Sequence, residues 1–553
     1  MAAAPPETAG RSRTPIRPSR AGRRRALVLL GVHLLFAAHI GHWLATGRTL
    51  TPLEPSEAME FSKHSIVNAG LVFFVLTLLS TAVLGRWFCG WACHLVALQD
   101  GCRWLLLRAG LRPRPLRSRW LLWVPLLAFA YMFLWPLAWR LGQGESLAVR
   151  GFDFVRSGFW DTMPGLAVGL LTLFVCGFVA IWFLGAKGYC TYACPYGAAY
   201  AFLDRFAPGR IRVNEACEGC GHCTAVCSSN VAVHREVRDF GMVVDPGCMK
   251  CLDCVSVCPK DALSFGFGRP ALGARARVPA PERPTPAWSR AEEALLLLLF
   301  AAAFLSFRGL YGRVPFLLAL GLGGIFAVLQ FHLLRALRAP DLRLQNLRLK
   351  AGGRWTGAGL AAAAAGIVLL VLQGHSAWIR WHAFQADTAF ARLQEARSRL
   401  AHEGFRPVPL DQAEEAAVAR VLEHAGLVRR RGLLRDPAPS LQLAWATGLR
   451  GDLGDMETWL RDALEAAPDE PLIREMLADY LAETGRVEEA AGLYEGLTRE
   501  GRARASLWTR YALALQILGR GEEAREALRR ALETDPDFAP ARALLEEARE
   551  GGS

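Results

Sequence analysis

The chain has 553 residues, 52% of them hydrophobic, with 17 Trp and a formal net charge of +13. A soluble chain of this length carries less apolar sequence, and here the apolar residues fall in blocks, which points to membrane spans. The Arg residues concentrate in a leading tail and beside those blocks, the pattern of anchoring charges at a membrane, which sets nucleic acid aside as a partner.

In chain order, a basic tail (1–25) carries Arg11, Arg13, Arg17, Arg20, Arg23, Arg24 and Arg25. Seven apolar segments then start near Ala26, Ile66, Trp120, Pro164, Ala294, Val314 and Trp355. Each is about 15–23 residues long, against the ~20 that a helix needs to cross a bilayer, and the fifth is the shortest. The first four form a membrane core over 26–204. Basic connections follow the second segment (Arg103, Arg108, Arg112, Arg114, Arg117, Arg119) and the sixth (Arg335, Arg338, Arg343, Arg348, Lys350, Arg354), whereas those holding Glu54 and Glu57, or Asp153 and Asp161, are mixed or acidic. Alternating through seven helices puts every basic connection on the cytoplasmic side and the tail after the seventh outside.

A polar, cysteine-dense insert (205–270) separates the fourth and fifth segments, followed by a Pro/Arg/Ala linker (271–290) and the last three segments (291–378). The final stretch (385–553) turns to Ala, Leu, Glu and Arg with helical periodicity. Gly451, Gly485 and Gly519 are spaced 34 apart, as are Ala444, Ala478 and Ala512, and Leu460, Tyr494 and Leu528. With Trp508, Ala524, Ala531 and Pro536 these fit the tetratricopeptide pattern, whose helix–turn–helix units stack into an α-solenoid with a concave binding face. The expected fold is therefore mainly α: about seven membrane helices, an inserted α+β ferredoxin-like segment and a C-terminal solenoid.

All 14 cysteines lie in the first half, most of them in short regular spacings that read as metal binding by reduced thiolates. "CEGCGHCTAVC" gives Cys217, Cys220, Cys223 and Cys227; "CMKCLDCVSVCP" gives Cys248, Cys251, Cys254 and Cys258. Both read C-x2-C-x2-C-x3-C, in which three thiolates wrap one cubane and the fourth serves the other. Cys217, Cys220, Cys223 and Cys258 are thus assigned to one [4Fe–4S] cluster, and Cys248, Cys251, Cys254 and Cys227 to a second. Zinc prefers separated pairs to triplets. Disulfides are disfavoured in a reducing compartment. Ser228 stands where a Pro commonly follows the fourth cysteine, which removes no ligand.

Two further pairs, Cys89/Cys93 and Cys190/Cys194, close the second and fourth apolar segments. A spacing of four puts both thiols of a pair on one helix face, and two such ends can bring four sulfurs together. They are candidates for a third cluster, a copper site or a redox dithiol, soft thiolates favouring Cu(I) or Fe–S over hard ions. Cys102 and Cys176 have no partner spacing and read as packing. His39 and His42 share a face near the outer end of the first segment, and His64 starts the second; polar groups there are candidates for haem ligation or quinol binding.

"RWFCGWACH", "YCTYACPYGA" and "CMKCLDCVSVCPKDAL" resemble the membrane polyferredoxins of the NapH, NosR and CcoG type, over roughly Ile66 to Phe267. That resemblance implies electron transfer at a bacterial inner membrane, as part of a quinol dehydrogenase or in metal reduction during oxidase assembly. His94 stands where the family's first motif has Pro, and no flavin-attachment stretch is present. The leading expectation is a multi-pass electron carrier whose cytoplasmic clusters link a quinone or soluble donor to a redox partner protein. The alternative is a maturation factor that reduces copper for a client held by a periplasmic tetratricopeptide domain. A scaffold with structural clusters ranks below both, since a repeat domain needs no iron to bind a partner.

Overall fold

The computed structural model describes residues 15–156, 165–278, 288–499 and 504–550. Arg11, Arg13, Asp161, the start of the fourth apolar segment at Pro164 and residues 279–287 of the expected linker lie outside the described residues. The chain divides into two compact units, one comprising 1–308 and 313–373, the other 309–312 and 374–553.

Among the described residues the apolar segments are helical, but five helices, not seven, are long and apolar enough to cross a membrane: Arg20–Thr46, Leu121–Gly142, Leu166–Leu184, Phe316–Arg338 and Gly357–Ala391. Two expected spans fall short for different reasons. Ala69–Leu84 has 16 residues, capped by the Asn68 side chain on the Leu71 N–H (2.8 Å) and ended by Gly85 at φ +75°. At 1.5 Å per residue it covers about 24 Å of a ~30 Å hydrocarbon core. Arg290–Phe307 spends its first turn on a Ser289/Glu292 capping box and on Glu293. The buried Glu293 carboxylate accepts from the Ser118 hydroxyl (2.7 Å) and the backbone N–H groups of Arg119 (3.0 Å) and Trp120 (3.1 Å). Cys102 and Cys176 fill space opposite glycines: a Cβ at Gly177 or Gly321 would lie 2.8 Å from their respective sulfurs.

The insert is closed by an antiparallel pair, Gly209–Val213 with Leu263–Phe267. Between these strands the two cysteine runs fold alike. Gly219 and Lys250, Gly221 and Leu252, and Asn230 and Asp261 are related by one 31-residue step, and all six adopt positive φ. Each run then forms a four-residue helix, His222–Ala225 or Asp253–Ser256. The insert is docked on the membrane core, as the Gly90 and Trp91 contacts below show.

The second unit is a series of helical hairpins. Pro437–Leu449 with Leu453–Ala466, Pro471–Glu483 with Val487–Arg499, and Ala505–Ile517 with Gly521–Thr534 start at successive 34-residue intervals. Gly451, Gly485 and Gly519 turn each hairpin at φ +85°, +84° and +74°, a left-handed conformation that glycine adopts without a Cβ clash. Ala444, Ala478 and Ala512 are completely buried, and Leu460, Tyr494 and Leu528 nearly so. Arg429 donates from Nε and Nη2 to the two oxygens of Asp462, which also accepts from Ser440. The Arg429 bonds hold the Asp462 carboxyl below its ordinary range. A carboxylate with a depressed folded pKa adds stability that is complete above its unfolded pKa, near ~3.9, and is lost as pH falls through the folded value. Asp462→Asn is therefore expected to destabilise this unit by about 1–2 kcal/mol at neutral pH. That difference should shrink below about pH 4, read as amide-exchange protection of the Leu453–Ala466 helix in the full chain.

Candidate redox site

The first cysteine run sits at the surface and the second inside. Residues 214–219 are all exposed, Cys217 among them, whereas Cys248, Cys251 and Cys254 are buried. Cys217, Cys220, Cys223 and Cys258 line one small cavity, walled also by His222, His234 and Pro259. Cys258 comes from the other run, and its sulfur accepts from the Ala262 N–H (3.3 Å). Cys227 packs with Cys248 and Cys254 around Ile211, Val231 and Val243. A shell of thiols drawn from both runs, with backbone N–H groups turned by left-handed residues, fits an iron–sulfur cubane. Among the described residues no three His, Cys, Asp or Glu side chains converge closely enough to hold a single metal ion.

The two membrane pairs have matching backbones. Trp87–Trp91 and Gly188–Tyr192 are five-residue helices that carry Cys89 and Cys190. Cys93 and Cys194 then cap the next helices in extended conformation (φ −79°, ψ 120° and φ −75°, ψ 112°), followed by His94 and Pro195 at the first helical position. His94 thus takes the place of Pro without altering the turn. It packs edge-on against Phe36 (5.1 Å) and lies 3.8 Å from Glu54.

All four of these cysteines line one cavity of about 530 Å³. Its wall is otherwise mostly apolar, including Val32, Leu35, Phe36, Leu53, Phe73 and Phe88, with His39, Glu54, Ser56, Arg86, His94, Tyr196 and Tyr200 as its polar groups. His39 bonds the Leu50 carbonyl through Nε2 (2.8 Å). His42 and His64 do not line this cavity: His42 faces Thr49 (3.3 Å), and His64 ends the Met59–His64 helix. The Gln99 amide donates to the Cys190 sulfur (3.1 Å).

Two families match where the cysteines lie. One described as a 4Fe–4S binding domain covers 68–114 and 166–214, which hold the two membrane pairs; one described as a 4Fe–4S dicluster domain covers 216–263. The chain is related to ferredoxin-type membrane electron-transport proteins. It is 28% identical to the methylamine utilization ferredoxin-type protein MauN of Methylorubrum extorquens, over 39% of this chain and 78% of that protein. To the ferredoxin-type protein NapH of Haemophilus influenzae it is 27% identical, over 42% and 81%. To MauN of Paracoccus denitrificans it is 34% identical, over 26% of this chain and 48% of the relative.

Sequence reading missed the charged groups between the pairs and the insert. Arg25, expected in a free basic tail, is buried in the first helix and bridges Asp100 and Asp253 (3.2 Å each), while the Ser19 hydroxyl donates to Asp253 (2.6 Å). Asp204 is wholly buried and pairs with Arg210 and Lys250 (2.7 Å each). Ionisable residues at the ends of apolar segments were the available signal.

Proposed function

We propose that the chain takes electrons from a membrane quinol and passes them through the ferredoxin insert to a partner redox protein. One observation carries this reading: four thiols share the wall of a cavity whose size and apolar lining suit a hydrophobic ring ligand. Cys217, Cys220, Cys223 and Cys258 would hold one [4Fe–4S] cluster, Cys227, Cys248, Cys251 and Cys254 a second, and Cys89, Cys93, Cys190 and Cys194 a third. Bound clusters supply one-electron transfer, which suits a hydroquinone that gives up two electrons and two protons in steps. Phe36, Phe73 and Phe88 would pack the ring, and Glu54 and His39 would orient its oxygens. The exposed 214–219 edge is the face for the acceptor. An insert on the cytoplasmic side, with the hairpin unit, read as a tetratricopeptide solenoid for a protein client, on the periplasmic side, requires the shorter Ala69–Leu84 and Arg290–Phe307 helices to complete the crossings that place every basic connection on one side.

The test is anaerobic mixing of the purified full chain with duroquinol, followed by EPR. Reduced iron–sulfur signals are expected. A chain that dithionite reduces and duroquinol leaves oxidised would overturn the quinol reading. Leu53→Trp, which fills the cavity, is expected to slow the duroquinol reaction about tenfold or more, a loss of about 1.4 kcal/mol in the barrier.

A further inference from the structure

Five cations are buried where the membrane core meets the insert, and four of them have carboxylate partners. Arg25 pairs with Asp100 and Asp253, Lys187 with Asp100, and Lys250 and Arg210 with Asp204. Arg86 differs. It is 4% exposed, its Nε donates to the Cys89 sulfur (3.4 Å) and its Nη1 to the Pro246 carbonyl (3.3 Å). Among the described residues its guanidinium has no carboxylate within ion-pair distance; Asp204 is reached by its backbone N–H (2.9 Å). A guanidinium is always charged, and burying one without an anion is costly. The Asp245 carboxyl also feels the Arg86 charge but forms no ion pair with it, and the group that the guanidinium contacts directly is the Cys89 sulfur in the cavity wall.

The surroundings are shaped to keep it there. A Cβ at Gly197 would come 3.0 Å from Arg86 Nη2 and 2.8 Å from the Cys190 carbonyl, so the bare glycine leaves room for the guanidinium beside the second pair. Pro246 lies two residues before Cys248. The same side chain therefore touches the first membrane pair, passes beside the second, and grips the loop that leads into the second cysteine run.

We propose that Arg86 is the counter-ion of an anionic four-sulfur centre at Cys89, Cys93, Cys190 and Cys194 and the positioning residue that sets its reduction potential. The proposal rests on the reading of those thiols as a third redox centre. An electron arriving from the donor adds one negative charge to the centre, and a fixed buried cation favours that reduced form. No proton need accompany the electron, because Arg86 is already charged. The effect is local: the other two centres have their own surroundings and should not respond.

The test is an EPR-monitored redox titration, with iron analysis, of the anaerobically purified full chain and its Arg86→Gln and Arg86→Lys variants. Arg86→Gln is expected to lower the midpoint of one centre by at least a tenfold change in its reduction equilibrium, about 59 mV for one electron. The other two midpoints should stay fixed, and Arg86→Lys should recover most of the shift. Selective loss of about four iron in Arg86→Gln, with retention in Arg86→Lys, would equally support a requirement for charge. Three signals with unmoved midpoints in Arg86→Gln would overturn the role of Arg86 alone, as would equal iron loss in both variants. A wild-type chain with about eight iron and two signals would instead overturn the four-sulfur centre itself.

Discussion

Replacing Asp204 by Ala is expected to release the ferredoxin insert from the membrane core. The carboxylate is completely buried and divides its two oxygens among three donors: Oδ1 accepts from the Arg86 N–H (2.9 Å) and Lys250 Nζ (2.7 Å), and Oδ2 from Arg210 Nη1 (2.7 Å). Those donors come from the end of the Ala69–Leu84 helix, the second cysteine run and the first strand of the insert. Removing the carboxylate strands two buried cations, a change that costs about 3–5 kcal/mol. Gly85 shows how tightly the knot is tied, since a Cβ there would lie 2.6 Å from Lys250 Cε and 2.7 Å from Asp204 Oδ1. In the Asp204→Ala chain, protease cleavage within 205–270 should rise by about 100-fold or more, and iron should be lost from the insert. Unchanged cleavage and iron content would show that the knot does not hold the insert.

This knot also marks where sequence reading stopped. The boundary drawn between a core ending at 204 and an insert starting at 205 runs through the middle of it. An aspartate after an apolar helix looks like a solvated end, and nothing local reveals that its partners lie at 210 and 250. The same holds for Arg25: one more positive charge before a span by composition, a buried bridge to the second cysteine run in three dimensions. The cavity is equally long-range, built from residues 32–56, 73–96 and 190–200 with Leu317. By contrast, features fixed by local geometry were legible. The repeated cysteine spacing marks two runs that fold alike, with positive φ at matching positions. The 34-residue step foresaw the hairpins, because each Gly occupies a left-handed turn. Span number was read too generously, since hydropathy alone does not register that Gly85 ends one helix early or that Glu293 is tied to the Ser118–Trp120 turn.

The two membrane pairs have like backbones but unlike neighbours. The Trp87–Trp91 helix lies on the second cysteine run: a Cβ at Gly90 would sit 2.2 Å from the Met249 carbonyl oxygen, and Trp91 Nε1 donates to the Lys250 carbonyl (2.9 Å). The Gly188–Tyr192 helix faces inward, where Tyr189 donates to the Leu317 carbonyl (3.2 Å) and Tyr192 to the Leu116 carbonyl (2.6 Å). One pair is thus the junction with the insert and the other is seated among membrane helices. If four sulfurs act as one centre, removing one from each pair should remove the whole centre and nothing else. In Cys89→Ala/Cys190→Ala chains, iron is expected to fall from about twelve to about eight per chain, with loss of one EPR signal. Dithionite should still reduce the remaining two centres, while reduction by duroquinol should fall by at least about 100-fold. Iron unchanged from wild type, with duroquinol reduction intact, would reduce the pairs to packing. Gly90→Ala separates the junction from the centre. Forcing a methyl group against a backbone carbonyl costs about 1–3 kcal/mol, which lowers the docking equilibrium constant about 5- to 150-fold. That variant should keep about twelve iron and yet slow the reduction of the insert by duroquinol.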